Sequence, residues 1–272
     1  MTYFEFLLCF LALPIVLLGL LVWRDRQGRQ RLPVSPGDAH PWLVLGLLIV
    51  VAVIYTTPWD NYLVATRVWW YNPRWVTGIT FGWVPLEEYV FFVLQPILIV
   101  LWSQWVARRA PTARQDVSLP VRLLALGLLT GVWIGALVIL VVEWRPGRYL
   151  GLELAWALPP ILIQVAVGMR TVAQQRWLLA LTVVPVTLYL SVADNLAISM
   201  GIWTISPATS LGVMVGALPL EECLFFLLTT TLVSVGFVLA AQQRGLPRLP
   251  LAGTCAHGMR PARDRSAPDA SV

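Results

Sequence analysis

Long apolar runs dominate the chain, and short polar stretches separate them. Seven runs can be drawn, at residues 3–23, 42–57, 77–105, 121–142, 151–169, 177–193 and 208–240. About 20 apolar residues in a helix span the hydrocarbon core of a bilayer, and the longer runs would tilt or kink. The pattern predicts an all-α integral membrane protein with seven transmembrane helices. The fifth run is the weakest, because Glu153, two prolines and a glutamine interrupt it.

The composition supports a membrane protein. Of 272 residues, 58% are hydrophobic and only 12% are charged, and the mean hydropathy is +0.75. All 19 basic residues are arginine, so we attribute the net charge of +5 to loops that orient the chain and expect no nucleic-acid surface. The three cysteines have no C-x-x-C spacing, which indicates neither a disulfide framework nor a metal site.

The arginines lie mostly on alternate loops. Fifteen follow the first, third and fifth runs or fall in the C-terminal tail, whereas the other side has Arg67, Arg74, Arg145 and Arg148. Because cytoplasmic loops are enriched in arginine, the pattern predicts a multi-pass protein of the cell membrane. Its N-terminus would lie outside and its C-terminus in the cytoplasm. Residues 243–272 are predicted to be a disordered cytoplasmic tail.

A repeat of 134 residues relates two parts of the chain. Positions 54–96 match their partners without a gap, and identical pairs include Tyr55/Tyr189, Asp60/Asp194, Asn61/Asn195, Trp69/Trp203 and Gly82/Gly216. The first three runs therefore match the last three. One extra crossing separates the two units, so they are predicted to run parallel through the bilayer. The expected domains are three-helix repeats at 1–106 and 143–242, joined by a cytoplasmic loop and a linking helix at 107–142.

Each repeat contains two adjacent carboxylates in the motif Pro-Leu-Glu-Glu. The two copies are residues 85–88 and 219–222. An ionised side chain at mid-bilayer costs about 2.5–3.5 kcal/mol on insertion scales, so a duplicated pair indicates function. Counted along helices that begin near residues 78 and 208, both pairs are expected near mid-bilayer, facing one interior cavity.

The four glutamates of the motif are the candidate catalytic residues: Glu87, Glu88, Glu221 and Glu222. Burial and like-charge proximity both favour the neutral carboxyl, so at least one member of each pair is expected to be protonated at pH 7. A neutral acid beside a group that can hold charge suits general acid–base chemistry. The sequence leaves open which glutamate is the acid and which is the base. Glu143 and Glu153 lie outside the repeat and are predicted to be loop or boundary charges.

Neighbouring residues suggest how the glutamates could be supported. Pro85 and Pro219 are predicted to lie within helices and to free the carbonyl groups of Phe81 and Val215 as partners for a protonated glutamate. Four phenylalanines stand three and four residues after the second glutamate of each motif, on its helix face: Phe91, Phe92, Phe225 and Phe226. These rings either stabilise a cation or pack against lipid and neighbouring helices.

Two further pairs of positions lie where the second and sixth helices are expected to end. The Asp-Asn pairs at 60–61 and 194–195 either cap those helices or support the glutamates from a second layer. Trp69 and Trp203 either line a substrate mouth or, as the pattern favours, anchor the chain at the membrane interface.

The duplicated Pro-Leu-Glu-Glu-x-x-Phe-Phe motif, with Asp-Asn before it in each of two three-helix repeats, resembles the membrane-integral lycopene cyclases. These proteins occur as heterodimers in some Gram-positive bacteria, as fused chains in other bacteria and in archaea, and as the cyclase half of fungal bifunctional proteins. The resemblance covers residues 1 to about 242. The tail has no counterpart in the family.

The resemblance implies that linear lycopene from the bilayer is cyclised at its ψ-ends to β-rings, by way of γ-carotene. An acid protonates C2, the C5–C6 double bond attacks the cation at C1, and a base removes a proton from C6. The steps involve no net redox change, and no cofactor or metal is expected. The G-x-G-x-x-G fingerprint of the unrelated flavin-dependent cyclases does not occur in the sequence.

The family also implies binding partners and limits how the active site can be composed. Membrane lipid surrounds the protein, and other carotenoid-pathway enzymes are possible associates. The heterodimeric relatives need both subunits, which implies either one composite site or two coupled sites.

Other functions fit the residues less well. A proton-coupled transporter would also place carboxylates within the membrane, but it would need polar residues along several helices. A retinal-binding receptor needs a lysine, and a membrane metalloprotease of the paired-glutamate type needs histidine within the membrane; the runs supply neither. A cyclase acting on C50 carotenoids is the main alternative.

Overall fold

The structure is a computed structural model, and it describes residues 1–27, 41–107, 109–110 and 117–242. Its helices are α1 (Tyr3–Leu7), α2 (Leu13–Gln27), α3 (Pro41–Ala65), α4 (Leu86–Ala107), α5 (Leu119–Val141), α6 (Arg148–Gln174), α7 (Arg176–Ser199) and α8 (Leu220–Gln242). A π-helical stretch, Leu8–Ala12, joins α1 to α2, and a 3₁₀ turn, Arg145–Gly147, precedes α6. The predicted disordered tail at 243–272 lies outside the described residues.

Seven helical stretches of the described chain are long and apolar enough to cross a membrane. They are Tyr3–Asp25, Trp42–Ala65, Leu86–Ala107, Leu119–Val141, Arg145–Gln174, Arg176–Ser199 and Leu220–Ala241. The prediction of an all-α membrane protein with seven such helices is confirmed. The fifth stretch, which looked weakest in sequence, is the longest, because α6 continues through Pro159 and Pro160.

The described chain has six short strands between its helices: β1 (Trp69–Tyr71), β2 (Thr80–Phe81), β3 (Val84–Pro85), β4 (Trp203–Ile205), β5 (Met214–Val215) and β6 (Leu218–Pro219). β1 and β4 pair antiparallel, with Trp70 opposite Thr204, and so connect the two halves of the chain. β2–β3 and β5–β6 are hairpins directly before α4 and α8.

The expected starts of the third and seventh helices are wrong. The apolar runs begin at 77 and 208, but α4 begins at Leu86 and α8 at Leu220. The hairpins occupy part of the intervening residues, and they turn at Gly82 and Gly216, whose φ values are +70° and +68°. Such backbone angles suit glycine, and glycine at the first position of a two-residue turn favours a tight hairpin.

The second and sixth helices are longer than the runs that predicted them. α3 continues through Pro58 to Ala65, and α7 continues to Ser199. Asp60 and Asp194 therefore lie inside helices, and the idea that the Asp-Asn pairs cap helix ends is wrong.

α4 and α8 form the centre of the bundle. α4 packs against α2, α3, α7 and α8, and α8 also packs against α3, α6 and α7. α5 lies at the side and packs mainly against α6, with Ala136 as its buried residue. The predicted linking helix thus stands apart from the central helices.

Several contacts recur in the two halves of the chain. The backbone N–H of Tyr3 donates to the Trp75 carbonyl at 2.7 Å, and that of Tyr149 donates to the Thr209 carbonyl at 3.0 Å. Gln95 and Thr229, which are 134 residues apart, hydrogen-bond to each other at 3.0 Å. Tyr3 and Tyr149 make equivalent contacts although they are not 134 residues apart. The first helices of the two units are therefore related by a different spacing from the rest of the repeat. The arrangement of the units as parallel repeats stays a prediction.

Candidate active site

A cavity that we call the acid chamber lies where α4 and α8 begin. Four carboxyl groups line it, two from each half of the chain: Asp60, Glu88, Asp194 and Glu222. The aromatic part of the lining is Tyr3, Phe6, Trp59, Trp69, Tyr71, Phe91, Phe92, Tyr149, Trp203, Phe225 and Phe226. Both halves contribute equivalent groups to this one cavity.

Glu88 and Glu222 occupy the first turns of α4 and α8. The Tyr3 hydroxyl donates to Glu88 Oε2 at 2.6 Å, and the Tyr149 hydroxyl donates to Glu222 Oε1 at 2.7 Å. A carboxylate near a helix N-terminus gains about 0.3–1 kcal/mol from the backbone dipoles, so both positions can hold a negative charge. The helix starts used to count their depth, residues 78 and 208, are wrong, so that count no longer supports a position near mid-bilayer.

Asp60 and Asp194 face the chamber from α3 and α7. Asp194 Oδ1 accepts a hydrogen bond from Trp203 Nε1 at 2.8 Å. The Asp194 carboxyl also lies beside that of Glu222, although its buried Oδ2 has no partner with full hydrogen-bond geometry in the described chain. Asp60 and Trp69 are paired in the equivalent way, but within the described chain both Asp60 oxygens and the Trp69 indole nitrogen fall short of full hydrogen-bond geometry. An incompletely hydrogen-bonded buried carboxylate is costly, which favours the protonated form or a bound polar group at this place.

Glu87 and Glu221 do not line the chamber. Glu87 Oε1 accepts the Thr77 backbone N–H at 2.6 Å, and Glu221 Oε1 accepts the Leu211 N–H at 2.6 Å. Both side chains are completely buried, and the second oxygen of each has no partner. The structure therefore separates the four candidate glutamates into two that face the chamber and two that hold the loops before the helices.

Pro85 and Pro219 lie in β3 and β6, immediately before the helices rather than within them. The expectation that they free carbonyl groups for a protonated glutamate is wrong. The Phe81 carbonyl accepts from the Tyr89 hydroxyl, and the Val215 carbonyl accepts from Asn195 Nδ2.

The asparagines of the Asp-Asn pairs hold the hairpins. Asn61 Oδ1 accepts the Trp83 N–H at 2.7 Å, and Asn195 Oδ1 accepts the Ala217 N–H at 3.1 Å. The two residues of each pair therefore have different contacts: the aspartate faces the chamber, and the asparagine holds the hairpin.

The four phenylalanines of the motif pack inside the protein. Phe91, Phe92 and Phe226 are each 5% exposed and Phe225 is 9% exposed, so packing against lipid is wrong for all four. Phe91 and Phe226 meet edge to face, with ring centroids 6.4 Å apart. Their rings contribute to the apolar lining of the chamber.

The expectation of interfacial anchoring is wrong for Trp69, which is 8% exposed and lines the chamber from β1. Trp203 lines it from β4 and is half-buried. The paired strands thus close one side of the cavity with two indoles.

Three tyrosines of the chamber were not singled out in the sequence. Tyr3 and Tyr149 bond the glutamates, and Tyr71 of β1 stacks on Tyr3 with ring centroids 6.2 Å apart. Burial, together with the nearby carboxylates Asp60 and Glu88, raises the pKa of Tyr71 well above its ordinary value. Tyr71 therefore stays a neutral hydroxyl donor. Pro14 and Pro160 are separated by the same number of residues as Tyr3 and Tyr149, and this match could have revealed that the two tyrosines are equivalent.

The location predicted for Glu153 from the sequence is also wrong. It lies in α6, is completely buried, and has no hydrogen-bond partner on either oxygen. It was predicted to be a loop or boundary charge, which is correct for the exposed Glu143 only.

The chamber combines proton donors and acceptors with aromatic walls. Protonated carboxyls can deliver a proton to a bound hydrocarbon, and carboxylates can remove one. Aromatic faces attract a positive charge by about 0.5–2 kcal/mol without reacting with it. The arrangement suits chemistry that passes through a cation shielded from water.

Comparison with known proteins agrees with this chemistry. The family model described as Lycopene cyclase matches residues 1–106 and 148–239. The chain is 39% identical over 245 residues to the lycopene beta-cyclase of Halobacterium salinarum, an alignment that covers 88% of this chain and 96% of the relative.

Fungal relatives match over a shorter part of their own length. The chain is 35% identical over 214 residues to the bifunctional lycopene cyclase/phytoene synthase of Podospora anserina, covering 74% of this chain and 35% of that protein. The corresponding protein of Blakeslea trispora is 36% identical over 195 residues, covering 68% and 32%. No solved structure shows a significant match. The matched regions and the full-length relative show that the chain belongs to the lycopene cyclase family.

Proposed function

We propose that the chain is a lycopene β-cyclase that converts the ψ-ends of lycopene to β-rings, first giving γ-carotene and then β-carotene. The observation that carries this proposal is the acid chamber, where Glu88 and Glu222 from the two halves face one aromatic cavity. The name of the Halobacterium salinarum relative supports the same activity.

The reaction is an isomerisation with no net oxidation. A carboxyl group of the chamber transfers its proton to C2 and leaves a tertiary cation at C1. The C5–C6 double bond then forms the C1–C6 bond, and the positive charge moves to C5. A carboxylate removes the proton from C6, which leaves the ring double bond and restores the number of protons held by the protein.

The shared cavity favours one composite site over two coupled ones. Because Glu88 and Glu222 line the same chamber, a single bound ψ-end would contact both carboxyl groups at once. Lycopene would therefore be cyclised at one end, withdrawn, and returned with its other end, which makes γ-carotene a released intermediate.

A second cavity gives the rest of the polyene a place. It lies between α3, α4, α6 and α8 and shares Phe92 and Phe225 with the acid chamber. Its lining is largely apolar, apart from a few groups such as the Gln95–Thr229 pair. A hydrocarbon chain with its end in the chamber could continue through this cavity toward the surrounding lipid.

The site would lie near the outer end of the bundle in the cell membrane. The arginine pattern supports an orientation with the N-terminus and the loops before α4 and α8 outside, and the C-terminus in the cytoplasm. Reporter fusions after residues 115 and 245 should be cytoplasmic, and fusions after 65 and 204 external. Opposite locations for 115 and 245 would contradict this orientation.

Expression of the full chain in a lycopene-accumulating bacterium tests the activity. Pigment chromatography should show γ-carotene and β-carotene formed as lycopene is consumed. Unchanged lycopene, with the protein detected in the membrane, would contradict the proposal. Ring formation only in a host that makes linear C50 carotenoids would identify a C50 cyclase instead. Co-purification from a complete pathway host would show whether other carotenoid enzymes associate with the chain.

A further inference from the structure

Glu88 and Glu222 are equivalent in position but not in surroundings. Each lies in the first turn of a central helix, accepts a hydrogen bond from a buried tyrosine, and follows a glutamate that holds a loop. Two neighbouring positions break this equivalence, one around each glutamate. The difference bears on which of them gives the proton and which takes it.

The first difference is Tyr71, whose counterpart 134 residues later is Ile205. Both residues line the chamber, and they lie on the paired strands β1 and β4. Tyr71 stacks on Tyr3 and lines the chamber with Glu88, so its hydroxyl can serve as a second donor to Glu88 besides Tyr3. Hydrogen bonds donated to a carboxyl group favour its charged form. Ile205 has no hydroxyl, and the second group beside Glu222 is the carboxyl of Asp194, so two acids can share a proton at the place where Glu88 has a tyrosine hydroxyl.

The second difference is Glu153, which lies four residues after Tyr149. Its counterpart four residues after Tyr3 is the buried Leu7. Residues four apart lie on the same helix face, so Glu153 is on the side of α6 whose tyrosine bonds Glu222. A charge on Glu153 would be close enough to be repelled by charges on Glu222 and Glu221.

Glu153 makes the second carboxyl cluster harder to ionise than the first. Glu153, Glu221 and Glu222 form a buried group of three acids, whereas only Glu87 and Glu88 stand at the equivalent place. Glu221 accepts a backbone N–H, which favours its charge. Like charges in one buried group cannot all be present, so protons are retained on the other members. The group of acids around Glu222 therefore retains more protons than the group around Glu88.

We propose that Glu222 is the acid that protonates C2 of the ψ-end and that Glu88 is the base that removes the proton from C6. Glu153 and Tyr71 are positioning residues that set this direction. The inference rests on the proposed cyclase function and adds to it an assignment of roles.

The proton balance follows from the assignment. The Glu222 carboxyl loses its proton to C2 as the new C–H bond forms. After the C1–C6 bond closes, the electrons of the C6–H bond become the ring double bond and the proton goes to Glu88. One proton must then return from Glu88 to Glu222 before the next ring forms. Asp60 and Asp194 line the same chamber and offer buried oxygens for that return.

The role assignment is tested by isotope exchange in membranes that contain the full chain. Membranes with wild type, Glu88→Gln or Glu222→Gln are equilibrated in D₂O and supplied with lycopene. Mass spectrometry then measures deuterium in the product and in the recovered lycopene. Wild type should place one deuterium in each ring, which also shows that the acid exchanges with solvent.

The two variants should differ. Without its base, Glu88→Gln still protonates C2, and the cation returns its proton, so recovered lycopene should gain deuterium. Glu222→Gln never forms the cation, and its lycopene should stay unlabelled. Labelling in Glu222→Gln alone, in both variants or in neither would overturn the assignment. A wild type that forms no ring would instead contradict the cyclase function itself.

The positioning role of Glu153 needs a separate measurement. Glu153→Gln should lower the turnover rate about tenfold with little change in KM, because less of Glu222 would be protonated; tenfold is below the range of a full acid–base contribution. The solvent isotope effect on turnover should rise as protonation becomes limiting. Glu143→Gln on the exposed loop is the matched control and should behave as wild type. An unchanged isotope effect in Glu153→Gln would remove Glu153 from the proposal.

Discussion

The acid chamber and the loops that precede its helices are built from adjacent residues of the same motifs. Glu88 and Glu222 face the chamber, whereas Glu87 and Glu221 accept backbone N–H groups from the loops. The Asp-Asn pairs divide in the same way, with aspartate toward the chamber and asparagine toward the hairpin. In each motif, a residue that faces the chamber is thus directly adjacent to one that holds a loop or a hairpin. Substitutions at neighbouring positions should therefore fail for different reasons.

The largest effect is expected at the chamber glutamates. Glu88→Gln and Glu222→Gln keep side-chain shape but remove a transferable proton or a proton acceptor. General acid–base contributions are about 10²–10⁴-fold, so a pigment assay should show lycopene with almost no rings. The measurement is pigment yield per unit of immunodetected protein. Near-normal yield from either variant would remove that glutamate from the chemistry.

A smaller loss is expected when the tyrosine hydroxyls are removed. Tyr3→Phe and Tyr149→Phe keep the ring but delete the donor to Glu88 or Glu222. Hydrogen bonds to charged groups contribute about 1.5–3 kcal/mol, and 1.4 kcal/mol corresponds to tenfold in rate, so turnover should fall at least about tenfold. Tyr62→Phe, outside the chamber, is the control. Equal turnover in all three variants would show that these donors do not tune the glutamates.

The loop-holding glutamates should affect folding more than chemistry. Glu87→Gln and Glu221→Gln keep an oxygen that can accept the loop N–H, so we expect ring formation within about tenfold of wild type. Glu87→Ala removes the acceptor of the part-buried hydrogen bond from the Thr77 N–H, at a cost of about 0.5–1.5 kcal/mol in stability. Membrane abundance and ring yield per protein separate the two effects. Loss of rings in Glu87→Gln at normal abundance would place all four glutamates in the mechanism.

The smallest effect on ring formation is expected at the hairpin turn. Gly82→Ala meets a positive φ and would bring its methyl group into a clash with Asn61 Oδ1, whereas Gly78→Ala has a positive φ but open space. A non-glycine residue in this conformation costs about 1–2 kcal/mol, so both variants should melt at lower temperature in detergent. Gly82→Ala should melt lower still. Equal melting of the two would show that contact with Asn61 does not hold the turn.

Part of the site was accessible from the sequence. The two Pro-Leu-Glu-Glu motifs, the aspartates and the phenylalanines were found because they recur at one spacing. Tyr3 and Tyr149 were missed because the first helix of each unit has a different offset. Glu153 was missed because it has no acidic counterpart, and its burial depends on helices that lie far from it in the chain.

The sequence by itself determined the seven membrane helices, the duplicated acidic motifs and the family. Length and hydropathy decide whether a helix can cross a bilayer, and local spacing preserves a motif. The tertiary structure decided where α4 and α8 begin, since an apolar hairpin and an apolar helix turn have the same hydropathy. It also decided which of two adjacent glutamates faces the chamber. A side chain's role depends on partners such as Thr77 and Tyr3, and only folding brings those partners to it.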